Sequence, residues 1–208
     1  FEEVNEDLGI TFQYQWNTST KFGFVKKSTI ENNSTTAVEV TILDGIQNIL
    51  PYGIASDFQN STSNLIDAYK KCELEKDTGL GIFALSAVIV DKAEPSEALK
   101  ANTVWSTGVK NPTYLISSLQ LNAFRKGEEV SQEEDIKAEK GAYFTVQNLT
   151  LEANNPISWM LVANVNQNLI SIQETKGIIK NTPDVTAFLQ EDIETGTAKL
   201  VQLVAGSD

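Results

Sequence analysis

Ile10-Thr11-Phe12-Gln13-Tyr14-Gln15-Trp16-Asn17 sets an apolar side chain at every second position with a polar one between. Successive side chains of a strand point to opposite faces, so this alternation predicts a β-strand with one buried face and Trp16 in the core. Working outward, Phe22, Phe24 and Val25 to Ile30 predict a second strand, and Val38, Val40 and Ile42 a third. Asn32-Asn33-Ser34 between them is a turn cluster, so these two strands are expected to form a hairpin. Later, Tyr143 to Leu151 and Ser158 to Val165 flank the turn Ala153-Asn154-Asn155-Pro156 and predict another hairpin, with Trp159 as core. Ile82 to Val90 is nearly continuous apolar sequence, which suits a mid-sheet strand covered on both faces. Asn102 to Val109 reads as one more strand.

Helical period governs fewer segments. Leu65, Ala68, Tyr69 and Cys72 recur at i, i+3, i+4, i+7, predicting a helix over Ser61 to Leu74 with Ser61 or Ser63 as N-cap. From Asn168 onward the period is again 3.6. Leu169, Ile172, Thr175 and Ile179 mark one helix, and Thr182 as N-cap with Pro183 at N1 opens another through Phe188, Leu189, Ile193, Leu200 and Leu203. Ile46 to Leu50 reads as a helical turn or a packed loop, and Tyr114 to Phe124 fits neither period. The order predicts a mainly β domain over residues 1–166 and a helical segment over residues 167–208. If the last helix leads into another domain, the stripe Phe188, Leu189, Ile193, Leu200, Leu203 should be exposed; in a self-contained module it should fold onto the chain's own sheet.

Composition excludes several function classes. The 208 residues carry 28 Asp plus Glu against 16 Lys plus Arg, and Arg125 is the only arginine. A basic footprint for nucleic acid is missing. There is no histidine and one cysteine, Cys72, so Ser-His and Cys-His nucleophilic catalysis, internal disulfides and the usual zinc sites are excluded within the chain. No cofactor or metal is expected. No apolar run approaches the ~20 residues of a membrane helix, so a soluble protein is expected, cytoplasm and periplasm both remaining open. The start at Phe1, with no signal-like segment, reads as an excised or processed boundary.

Three stretches, Phe22 to Asn32 (FGFVKKSTIEN), Ile42 to Gly53 (ILDGIQNILPYG) and Asp91 to Trp105 (DKAEPSEALKANTVW), resemble the N-terminal domain of cellobiose-phosphorylase-like proteins. The resemblance covers most of the chain. It implies a super-β-sandwich of the galactose-mutarotase-like type, a helical linker after Asn168, and a following (α/α)6 barrel that carries the catalytic acid. The chain would then be a non-catalytic domain of a glycoside phosphorylase or hydrolase, shaping its active site or a homodimer interface. A stand-alone carbohydrate-binding or structural module is the alternative. The mutarotase-type epimerase is improbable for a chain without histidine.

Saccharide-contacting candidates follow from residue type. Asp44, Gln47 and Asn48 offer a carboxylate and two amides to sugar hydroxyls, or else serve a turn at Asp44-Gly45. Trp105 with Asn102 and Tyr69 forms a platform if the indole face is free, and core if it is not. Glu94 and Glu97 are the best paired carboxylates, yet they also suit the first turn of a short helix. The acidic run Glu128, Glu129, Glu133, Glu134, Asp135 lacks calcium-loop spacing and reads as solvated surface.

Overall fold

The computed structural model describes residues 1–89 and 98–206. Their strands form two antiparallel sheets, a mainly β fold with a helical C-terminus. The larger sheet runs in the order β1 (Glu2–Asn5), β2 (Ile10–Ser19), β3 (Gly23–Asn32), β11 (Ile157–Gln167), β7 (Ala101–Thr107), β6 (Leu80–Leu85), β5 (Lys70–Glu75), β9 (Asp135–Lys137). The smaller has β4 (Val38–Ile49), β10 (Gly141–Leu151) and β8 (Thr113–Ser117). Cys72, Leu74, Phe83, Val104, Ile116, Tyr143 and Leu161 fill the space between the sheets.

Neither expected hairpin forms. β3 pairs with β2 and β11, whereas β4 pairs with β10, so the chain crosses from the large sheet to the small one between β3 and β4 and crosses back between β10 and β11. Period and turn residues locate strand ends, but they do not say whether the next strand lies beside the last or across the core. Asn32, fully buried, ties the two crossings together. Its Nδ2 donates to Thr36 O (2.8 Å) and Leu151 O (2.9 Å), and its backbone carbonyl accepts from Asn154 N (2.8 Å).

The expected long helix splits into α1 (Ser56–Ser61) and α2 (Ser63–Tyr69), and then turns into strand β5. Lys70, Cys72 and Leu74 point inward with Lys71, Glu73 and Glu75 between, a period of two that the helical spacing of Leu65, Ala68, Tyr69 and Cys72 concealed. Ile66, fully buried, anchors α2 while Leu65 is half exposed. Residues 46–49 continue β4 as strand. The ambiguous segment resolves into β8 and a short helix, α3 (Leu121–Arg125). Of the apolar run beginning at Ile82, β6 takes only the part up to Leu85, and it lies mid-sheet between β5 and β7.

Two helices, α4 (Leu169–Asn181) and α5 (Val185–Ala205), cover the outer face of the large sheet. Asn168 caps α4 by accepting from Ser171 N (2.9 Å). Asp184, not Thr182, caps α5, accepting from Ala187 N (2.9 Å); Thr182 instead ends α4. Ile172, Leu189 and Ile193 share one core with Phe22, Val25, Trp105, Met160 and Val162. The stripe on α5 is therefore divided. Leu189 and Ile193 fold onto the sheet, while Leu200, Val201, Leu203 and Val204 stay 61–73% exposed.

Cys72 is 1% exposed, and burial raises its thiol pKa from an ordinary 9.0 to about 12, against the opposing pull of Lys70. A thiol held protonated in the folded state adds stability that is complete below pH ~9 and declines as pH rises toward 12. Alkylation by iodoacetamide at pH 8 is expected only after denaturant is added. Native labelling at the rate of a free thiol would contradict this burial.

Candidate functional site

The residues expected to contact a saccharide do not converge. Asp44 is 8% exposed and sits mid-strand in β4, facing the large sheet rather than a turn. Its carboxylate pairs with the Lys26 ammonium and accepts from Ser28 Oγ (2.8 Å) and Trp159 Nε1 (2.8 Å). All these partners come from β3 and β11, so this carboxylate joins the two sheets. Gly45 serves strand pairing, since a Cβ there would overlap the Tyr143 carbonyl oxygen and the Phe144 ring. Gln47 and Asn48 are exposed just beyond, and Asn48 takes φ 56°.

Asn102 and Trp105 stand on opposite faces of β7, because residues three apart in a strand have opposite parity. Asn102 donates to Leu50 O (2.8 Å) and accepts from Asn166 N (3.1 Å), fixing the exit of β4 against the large sheet. Trp105 is 2% exposed, packed edge-on to Phe22 at 6.0 Å beneath the helices, and its ring does not lie open on the surface. Tyr69 ends α2, where its carbonyl accepts from Ser86 N (2.8 Å). The platform of Trp105, Asn102 and Tyr69 is thus not assembled. Glu94 and Glu97 lie outside the described residues.

Two further features depart from the sequence expectation. Trp16, expected in the core, is 52% exposed, and Phe24 beside it is 51% exposed. Phe1 and β1 cover β2 only as far as Tyr14, which leaves the far half of β2 as a free edge. Trp16 and Phe24 border an open groove of about 610 Å³ with Ile46 and Ala163, and Asn17, Thr18 and Thr197 supply polar groups at its rim. An aromatic face flanked by an amide and hydroxyls is suited to a pyranose, whose C–H face is apolar and whose edge is polar. Alternation alone could not separate this tryptophan from Trp159, which is buried at 1%.

Glu133 is the other. Within a run read as solvated surface, it is 6% exposed, and its carboxylate accepts from the backbone N–H of Ile116 and Ser117 (both 2.8 Å), from Ser117 Oγ (3.0 Å) and from Gln120 Nε2 (2.9 Å). Both buried carboxylates are thus committed to holding strands in place. No group of three or more His, Cys, Asp or Glu among the described residues is arranged to hold a metal ion, and no helix among them is long and apolar enough to cross a membrane. Compared with models of known protein families and with curated proteins, the chain matches none.

Proposed function

We propose that this chain is a non-catalytic domain of a carbohydrate-active enzyme, a glycoside phosphorylase or hydrolase, and that it presents a saccharide-contacting surface beside a separate catalytic domain. The observation that carries this reading is the half-exposed Trp16 ring beside Phe24 over an open groove rimmed by an amide and hydroxyls. The resemblance to the N-terminal domain of cellobiose-phosphorylase-like proteins supports it as well. Two of the three stretches that carry that resemblance meet in space, Lys26 and Ser28 of the first binding Asp44 of the second. The exposed apolar end of α5, from Leu200 to Val204, is consistent with a neighbouring domain. A stand-alone carbohydrate-binding module is the second reading, favoured by the packing of Leu189 and Ile193 on the chain's own sheet.

The test is an assay of the intact polypeptide on α- and β-linked glucose disaccharides, with and without inorganic phosphate. Cleavage is expected, and Trp16→Ala should raise KM about tenfold while kcat changes little, as for lost uniform binding. Saccharide binding without cleavage selects the binding module. Neither binding nor cleavage overturns both readings.

A further inference from the structure

A second cavity, of about 220 Å³, lies between the outer face of the large sheet and α4. Thr103 and Trp105 on β7 form its floor and are each 2% exposed. Asn164 and Gln167 on β11 wall one side and Ser171 and Thr175 on α4 the other, while the exposed Lys21 and Glu174 stand at its mouth.

The Ser171 hydroxyl donates to Asn168 Oδ1 (3.1 Å) and the Thr175 hydroxyl to Ser171 O (2.9 Å), but other polar atoms of the lining have no protein partner. Among the described residues, Trp105 Nε1 and Thr103 Oγ1 have no hydrogen-bond partner, although Trp159, the other buried tryptophan, gives its Nε1–H to Asp44. The Asn164 side chain accepts from Val165 N (2.9 Å) and keeps its amide hydrogens free; Gln167 donates to Val165 O (2.7 Å) and keeps its carbonyl oxygen free. Among the described residues only Gln59 Oε1 is both sealed from solvent and without a partner, so the Trp105 N–H opens onto the cavity, where a ligand can accept from it.

We infer that this cavity is a binding site for one compact, uncharged polyhydroxy molecule, a single sugar ring or a small cyclic polyol. Hydroxyl groups both donate and accept, which matches a floor made of an N–H donor, a hydroxyl, a free amide N–H and a free amide oxygen. The interior presents no charge, and the mouth carries one of each sign, so an anion or cation gains nothing there. The volume also exceeds what one or two waters need, at about 30 Å³ each. This inference is independent of the Trp16 groove, because Trp16 shares a face with Lys26, which turns toward the small sheet, whereas Thr103 and Trp105 turn toward α4.

The experiment follows the three indole N–H resonances of the full chain by NMR, assigned by Trp→Phe replacement, during titration with glucose, galactose, mannose, myo-inositol and glycerol. Expected is a saturable shift of the Trp105 resonance by at least one ring-shaped probe, with Kd in the ~1–10 mM range of small, weakly held ligands. Thr103→Val, which keeps the shape and removes the hydroxyl, should weaken that binding tenfold or more. Trp16→Ala should leave it unchanged. The inference is overturned if no probe shifts the Trp105 resonance up to about ten times that Kd range, if the resonance contacts only long-lived water, or if Thr103→Val binds as the parent does while remaining folded.

Discussion

Replacing Asp44 by alanine is expected to lower the free energy of unfolding by about 3–5 kcal/mol, the penalty for stranding one member of a buried ion pair. The carboxylate is the acceptor for an ammonium, a hydroxyl and an indole N–H whose residues, Lys26, Ser28 and Trp159, are 7%, 0% and 1% exposed. Truncation leaves all three facing a void. Lys26 retains the Tyr14 ring, 4.9 Å from its ammonium, which offsets only about 0.5–2 kcal/mol. Asp44→Asn, which keeps an acceptor but loses the charge, should fall between. Replacing the pair together, Lys26→Met with Asp44→Leu, should cost less than Asp44→Ala alone, because no charge is then left uncompensated. Urea unfolding reads each as a fall in midpoint at constant slope. A loss below about 1 kcal/mol for Asp44→Ala would mean that water reaches Lys26 and that the sheets are joined by apolar packing instead.

This node also shows where the sequence was legible. Alternation over Ile10 to Asn17 and over Phe22 to Ile30 located the strands correctly, because the pleat imposes a period of two wherever a strand lies in a sheet. Pairing was less legible. An alternating strand with one buried face looks the same whether its buried face meets a neighbour's helices or a second sheet, so β3 and β4 read as a hairpin though they belong to different sheets. Lys26, Ser28 and Asp44 are polar residues on inward faces, where a strict pattern has apolar ones. That break in the alternation was the available signal of a polar contact across the sandwich.

Exposure was the least legible quantity. Trp16 and Trp159 occupy equivalent places in two alternating strands, yet one is 52% exposed and the other 1%. What separates them is the extent of the neighbours, since the pairing on the outer side of β2 stops at Tyr14 whereas β11 is flanked on both sides by β3 and β7. Trp105 is the converse case. Residue type made it a candidate for an open platform, and β7 instead turns it toward the helices, at the floor of the cavity beside α4. The switch to helical period after Asn168 was readable, but not that α4 would roof that cavity.

Glu133→Ala is expected to cost about 3 kcal/mol, since the N–H groups of Ile116 and Ser117 both lose a charged acceptor. β8 is the edge of the small sheet, bonded on its other side to β10. At that edge the carboxylate takes the place of a missing strand for Ile116 N and Ser117 N, while Glu133 N donates to Tyr114 O (3.0 Å). The next residue turns to the other sheet, with Glu134 O accepting from Leu74 N (2.9 Å) in β5. Consecutive residues of one loop therefore close the side of the sandwich, one bonding each sheet. Loss of the Glu133 carboxylate should accordingly raise amide hydrogen exchange at Ile116 and Ser117 by tenfold or more, and extend the effect to Leu74, whose partner is held in place by the same loop. Glu133→Gln, which retains one oxygen acceptor, should lose less on both measures. If exchange rises at Ile116 and Ser117 but not at Leu74, the carboxylate supports only its own edge, and the closure between the sheets rests on the burial of Leu74 and Ile116 in the shared core.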